Sequence, residues 1–294
     1  MATKAALRKI EGFHFNVHVG DEPLRDYSLL RNVFIDGSPH KLTSTRRQLA
    51  FHVSEEAEAV VFLSYEGDPE AEALLYDMTT GIERLTPRRS DEIVATRTHF
   101  AVNLAARVVA FEYNQRGTKP EDFENLATQL IDRTIEGNQS CDVSLVPIPK
   151  PSFLEELQQY NRIQSARVVL VRPNVSWLDR DSQLLKYADK SDAQAISLEA
   201  RARRNRSLSR REGLVGDLRK VIAQKITTVR EAVIWGNKGD SKQRRQTKLS
   251  AHALGTVVSL TRMPDGQPNH EMMKEHIVEY CAWLAEHHPA GKEE

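Results

Sequence analysis

Two short stretches of this 294-residue chain gather the groups that hold phosphate. "RARRNRSLSRREG" runs from Arg201 to Gly213 and carries Arg201, Arg203, Arg204, Arg206, Arg210 and Arg211. "GNKGDSKQRRQTK" runs from Gly236 to Lys248 and carries Lys238, Lys242, Arg244, Arg245 and Lys248. Guanidinium and ammonium groups supply charge to a phosphate. Ser241, Gln243, Gln246 and Thr247 supply further donors, and Gly236 and Gly239 supply backbone freedom. The expected nucleic-acid contacts are Arg203, Arg204, Arg206, Arg210, Arg211, Lys242, Arg244, Arg245 and Lys248. Trp235 is the only aromatic residue of segment 201–248. That disfavours a platform on which single-stranded bases stack and favours contact with a duplex backbone, with little sequence preference.

The chain as a whole is neutral, with 41 basic and 41 acidic residues, but the charge is segregated. Segment 201–248 has 15 basic against 4 acidic residues, a net +11, while 1–200 carries −7 and 249–294 carries −4. Such a chain attracts polyanions at one region and repels them elsewhere.

Other constellations are weaker. Asp179, Asp181, Asp189 and Asp192 offer carboxylates for a two-metal nuclease site. Asp179 and Asp181 also sit where a helix start favours acids, and Glu199-Ala200-Arg201 lacks the lysine that ends a common nuclease motif. His14 and His18 are placed on one strand face, opposite the phenylalanines, where solvent-exposed histidines are expected; no third metal ligand is identifiable. His52-Val53-Ser54 is half of a paired His-x-Ser phosphoesterase signature without its second half. No phosphate-binding G-x-x-x-x-G-K-[ST], dinucleotide G-x-G-x-x-G or hydrolase G-x-S-x-G motif occurs, so no cofactor is expected. Cys141 and Cys281 stand far apart and read as two ordinary thiols of a reducing compartment. No apolar run is long enough to span a membrane, and "MATKAALRKIEGFHF" has no apolar signal core, so a cytoplasmic protein is expected.

The elements that must carry the basic groups follow from hydrophobic periodicity. "FHFNVHVG" alternates, with Phe13, Phe15, Val17 and Val19 on one face. "HKLTSTRRQLAFHVS" and "AVVFLSYEG" read as strands. "ALLYDMTTGIERL" reads as a hairpin, and "THFAVNLAARVVAFEYN" as two strands around Leu104–Ala106. "PEDFENLATQLIDRTI" reads as a helix with a core stripe of Phe123, Leu126, Ala127, Leu130 and Ile131. After "EGNQS", a linker, strands and helices alternate. "CDVSLVPI", "ARVVLVRP", "AQAISLEA", "REAVIWG" and "GTVVSLT" are the strands. "PSFLEELQQY", "SWLDRDSQLLKYA", "SLSRREGLVGDLRKVIAQKI" and "NHEMMKEHIVEYCAWLAEH" are the helices, the last with an apolar stripe for its own core or a dimer interface. The fold class expected is α+β: a β-rich domain with one helix over 1–137, then an α/β domain over 141–294 with a mixed sheet and a terminal helix.

The order "GIERLTPRRSDEIVATRTHFAVNLAARVVAFEYN" leading to "TKPEDFENLATQLI", followed by a basic α/β part, resembles the RexA-type phage-exclusion proteins, a group related in fold to the RdgC type of DNA-binding protein. The resemblance is architectural and carries over no site residue. It implies a cytosolic homodimer that binds double-stranded DNA without strong sequence preference, acting in phage defence, with a possible partner protein of the same system. The expected activity is therefore non-enzymatic binding to DNA, with RNA as a related target. A metal-dependent nuclease and a protein-interaction module for an acidic partner are the alternatives.

Overall fold

The computed structural model describes residues 5–20, 22–43, 47–68, 74–76, 79, 82–85, 89, 92–134, 140–172, 195–239, 241, 243–264 and 267–290. The chain is α+β, as its periodicity implies. A long first strand, β1 (Ala6–Val19), organises the larger sheet. Around it lie β2 (Glu22–Pro23), β3 (His40–Thr43), β4 (Gln48–Glu56), β5 (Ala59–Gly67), β8 (Thr96–Asn103), β9 (Val108–Tyr113) and β10 (Cys141–Pro147), with β15 (Gly255–Leu260) returning from the far end of the chain. The order is β10-β1-β9-β8-β5-β4-β3, and β2 and β15 also pair with β1. On one side of β1, Phe13–Val19 pairs with β10 and Ala6–Glu11 with β15. The expected hairpin forms as β6 (Leu74–Tyr76) and β7 (Glu83–Leu85).

One face of this sheet carries Phe13, Phe15, Phe51, Phe62, Phe100 and Phe111. Helices α1 (Leu30–Ile35) and α2 (Pro120–Thr134) close over them with Phe34 and Phe123. Phe100 stacks between Phe62 and Phe111, at 4.7 and 4.8 Å between centroids. The α2 residues expected to be core are all buried. The other face presents Ile10, Val61, Ala101 and Ala110 to a terminal helix over His270–His287, which buries Met273, Ile277, Cys281 and Leu284 there. Gly12 lets the helix approach, since a Cβ on it would lie 2.9 Å from Leu284 Cδ2. The apolar stripe of this helix is thus largely taken up by its own sheet. Cys141 and Cys281 are both buried free thiols, and burial pushes each up to about 12.

The second sheet has the order β12-β11-β13-β14, built from β11 (Tyr160–Val171), β12 (Ala195–Arg201), β13 (Val229–Lys238) and β14 (Arg245–Lys248). Helices α3 (Pro151–Gln158) and α4 (Gly213–Ala223) cover one face, burying Ala166, Val168, Leu170, Ala232 and Ile234 against Phe153, Leu157, Val215, Leu218 and Val221. The terminal helix becomes α5. All described pairings here are antiparallel, so the expected mixed character is not found among the described residues.

Sheet membership does not follow the 137/141 division. β10, β15 and α5 all belong to the first sheet or its cover, although they follow residue 140. The two sheets are joined through buried and part-buried polar bonds. The Asn16 amide donates to the carbonyls of Arg172 and Thr227, at 3.0 and 2.7 Å. Arg230 of β13 donates to Glu124 of α2 at 2.7 Å. The expected linker, Glu136–Ser140, lies outside the described residues except for Ser140, and the expected helix at 176–188 lies outside them too.

Three local expectations need correction. His14 and His18 are buried, at 8% and 2% exposure. Their strand face is opposite the phenylalanines, as expected, but it is covered by the second half of the chain instead of solvent. Second, the helix expected over 207–226 is only Gly213–Ala223. Gly213 sits at φ +66°, a left-handed conformation that breaks the path before the helix begins, so Ser207–Glu212 stays irregular. Third, the strand expected at 166–173 starts at Tyr160, because bulges between Tyr160 and Ser165 let it keep pairing with β13.

Candidate nucleic-acid interface

β11 is the inner strand between β12 and β13, and its first residues hold both basic stretches. On one side the 202–212 segment continues the β12 edge. Ala202 N donates to Gln164 O at 2.8 Å and Leu208 N to Ile163 O at 2.9 Å, while Ser207 Oγ accepts from Ile163 N at 2.9 Å. Arg162 Nε reaches the Arg206 carbonyl at 3.1 Å, and Arg210 donates to the Gln158 carbonyl at 2.9 Å. On the other side lies the β13–β14 loop. Asn161 Nδ2 donates to the Gly239 carbonyl at 2.8 Å. Lys238 packs over the Tyr160 ring, 4.7 Å from its centroid, and pairs with Glu156. The two stretches, 201–213 and 236–248, therefore meet at one end of one sheet.

Arg203, Arg204, Arg206, Arg210, Arg211, Arg244, Arg245 and Lys248 are all exposed. None of these eight forms an ion pair among the described residues. Lys242 lies outside the described residues. Arg201, by contrast, is spent on Glu199 at 2.7 Å, and this pairing holds the Glu199 carboxyl below its ordinary range. Exposed positive groups at this density raise the local potential, which attracts anions.

Two arginines outside the expected set belong here. Arg219 of α4 folds back so that its Nη1 meets the Arg210 carbonyl at 3.2 Å, while its Nε is buried without a hydrogen-bond partner. With Arg210, Arg211, Ser207 and Ser209 it lines an open depression of about 550 Å³. Gly216 makes this fold-back possible by letting the Arg211 backbone pack on the helix: a Cβ there would lie 2.4 Å from Arg211 O. Arg167 is exposed on the sheet face away from α3 and α4, in register with Glu199 and Val233. Its signal was strand alternation, since Ala166, Val168 and Leu170 point the other way. Arg219 gave a weaker one, standing at the edge of the apolar helical stripe.

The same open face carries Trp235, half-buried, with the Arg244 guanidinium 5.9 Å from its ring centroid. Arg244 also reaches Ser165 Oγ at 3.4 Å. The ring is covered by a cation instead of standing free. The four aspartates of the nuclease alternative, Asp179, Asp181, Asp189 and Asp192, lie outside the described residues, and no group of three or more metal-binding side chains occurs among the described ones. No described helix is long and apolar enough to cross a membrane.

No curated protein matches the chain. Residues 93–225, which run from β8 to the end of α4, match the model of a family described as a domain of unknown function, DUF4747. The matched stretch includes the first basic segment and ends before the second.

Proposed function

We propose that the protein binds nucleic acid, duplex DNA above all, by holding its phosphate backbone at the end of the second sheet. The observation that carries this reading is the convergence of two basic stretches on Asn161 and Arg162, with their guanidinium groups exposed and unpaired. Arg203, Arg204, Arg206, Arg210, Arg211, Arg244, Arg245 and Lys248 supply the charge, and Lys242 belongs to the same loop. Arg210, Arg211 and Arg219 form a seat for one phosphate, with the serine hydroxyls beside it. No described acidic side chain pairs with these groups, so the site is selective for polyanions. A covered Trp235 favours backbone contact over base stacking.

The resemblance to phage-exclusion proteins adds a setting to this proposal: a homodimer acting in defence against phage. A gel-shift with a labelled duplex of about 30 base pairs tests the binding itself. Wild type should shift the duplex at low salt, and a variant with Arg204, Arg206, Arg244 and Arg245 changed to Gln should shift it only at higher protein concentration. Equal shifts would overturn the reading. Loss of intact plasmid in magnesium would instead favour the nuclease alternative, and absence of any shift at low salt the acidic-protein one.

A further inference from the structure

A second site lies on the first sheet, away from the basic end. Where α5 begins, the small residues Ala101 and Ala110 under the helix give way to His99 on β8 and Glu112 on β9. Both side chains are buried, at 5% and 4% exposure. A buried carboxylate needs donors, and Glu112 has three. Its Oε2 accepts from the His99 backbone N at 3.0 Å and from His99 Nδ1 at 2.8 Å, and its Oε1 faces Arg8 Nε of β1 at 3.3 Å. The carboxylate thereby fixes Nδ1 as the protonated nitrogen and turns Nε2 away from the pair. Nε2 has no hydrogen-bond partner.

The His99 side chain that carries this orphan nitrogen lines a cavity of about 460 Å³, of the size that takes a small molecule. The charged and titratable groups facing it are Arg8 from β1, Arg97 from β8, Glu112 from β9, and His270 at the start of α5, which lies 3.3 Å from Glu271. Glu112 is already matched by Arg8 and His99, so the unspent charge on the wall is positive. Asn114 and Thr96 add neutral polar groups. The His270 ring lies over that of His99, centroids 6.4 Å apart and planes 17° from parallel, and its side chain is 36% exposed.

We propose that this cavity binds a small oxyanion, a carboxylate or a tetrahedral phosphate- or sulfate-like group, at the unpartnered His99 Nε2, with Arg97 balancing its charge.

Imidazole nitrogen NMR of the full-length protein tests this, with the His99 ring assigned through its backbone. Sodium acetate and sodium sulfate are the probes, since neither titrates between pH 6 and pH 8. The result expected is a saturable movement of the His99 Nε2 resonance as one or both salts are added. Saturation by acetate alone identifies a carboxylate ligand, by sulfate alone a tetrahedral one, and by both the shared oxyanion chemistry. Anions that settle on the basic loops leave His99 unmoved, so the two sites are read separately. Absence of saturable movement at His99 with either salt would overturn the proposal.

Discussion

The Asn161 side-chain amide donates to the Gly239 carbonyl at 2.8 Å, and by this bond the start of β11 holds the β13–β14 loop. Its neighbour Arg162 holds the other basic stretch through the Arg206 carbonyl. Two adjacent residues on one inner strand thus fix the spacing of two charged surfaces that the sequence keeps well apart.

Gly236 is the packing element behind that arrangement. It stands in register with Ile163 beside the β11 bulges, and a Cβ on it would lie 2.1 Å from Arg162 O. Backbone on backbone cannot yield as a side chain can. Gly236→Ala should lower stability by about 2 kcal/mol in urea unfolding and weaken duplex binding beyond the loss of folded protein. An unchanged midpoint would contradict this packing role.

Trp235 separates the two modes of nucleic-acid contact. If phosphates are held and bases are not stacked, Trp235→Leu should change duplex affinity by less than about twofold, because stacking on a ring is worth about 1–3 kcal/mol per base and none is being lost. A large loss confined to single strands would place a base on this ring.

Glu124 and Arg230 join α2 to β13 at 2.7 Å. Burial pushes the Glu124 carboxyl up to about 7, against the opposing pull of Arg230 and of the Leu145 N–H. Its folded value lies above the ordinary one, so the folded state holds the extra proton between about 4.5 and about 7, and stability falls as pH rises across that window. Arg230→Met removes the counter-ion. It should destabilise by about 3 kcal/mol at pH 8, where the carboxylate is charged, and by clearly less at pH 5. Thermal or urea unfolding at both values measures the difference, and equal losses would contradict it.

His14 predicts the opposite acid limb. Burial, then the charges of His288 and Lys225, push its imidazole down to about 3. The unfolded chain takes up a proton near 6.5 that the folded chain refuses, so stability is lost as pH falls from there toward 3. At pH 5 this amounts to about 2 kcal/mol. His14→Leu should flatten that limb while leaving the alkaline side unchanged, as urea midpoints across pH 4–8 would report.

Local order was largely legible in the sequence, and long-range partnership was not. The alternation in Phe13–Val19, the stripe in α2 and the strand–helix order after residue 140 each report a period that a single element imposes on itself. What covers each face is another matter. His14 and His18 are polar on an alternating strand and so read as solvent-facing, yet both are buried, and Asn16 between them bonds to the carbonyls of Arg172 and Thr227 across the chain. β15 lies about 250 residues from β1 and pairs along half its length, with no periodic trace of that choice. The Glu112–His99 pair was invisible for the same reason, being two residues opposed across adjacent strands. For the basic stretches, composition named the residue types but not their convergence, which depends on which strand of the second sheet lies inside.

The salt dependence of duplex binding tests the central claim most directly. Fluorescence anisotropy of a labelled duplex of about 30 base pairs, titrated at about 50 and about 200 mM salt, yields the slope. Six to ten phosphate contacts should cost wild type about 10³–10⁵ in affinity over that range, and the variant with Arg204, Arg206, Arg244 and Arg245 changed to Gln should bind more weakly with a shallower slope. Identical slopes in the two proteins, or no binding at the lower salt, would mean that the exposed arginines at the end of the second sheet do not hold phosphate.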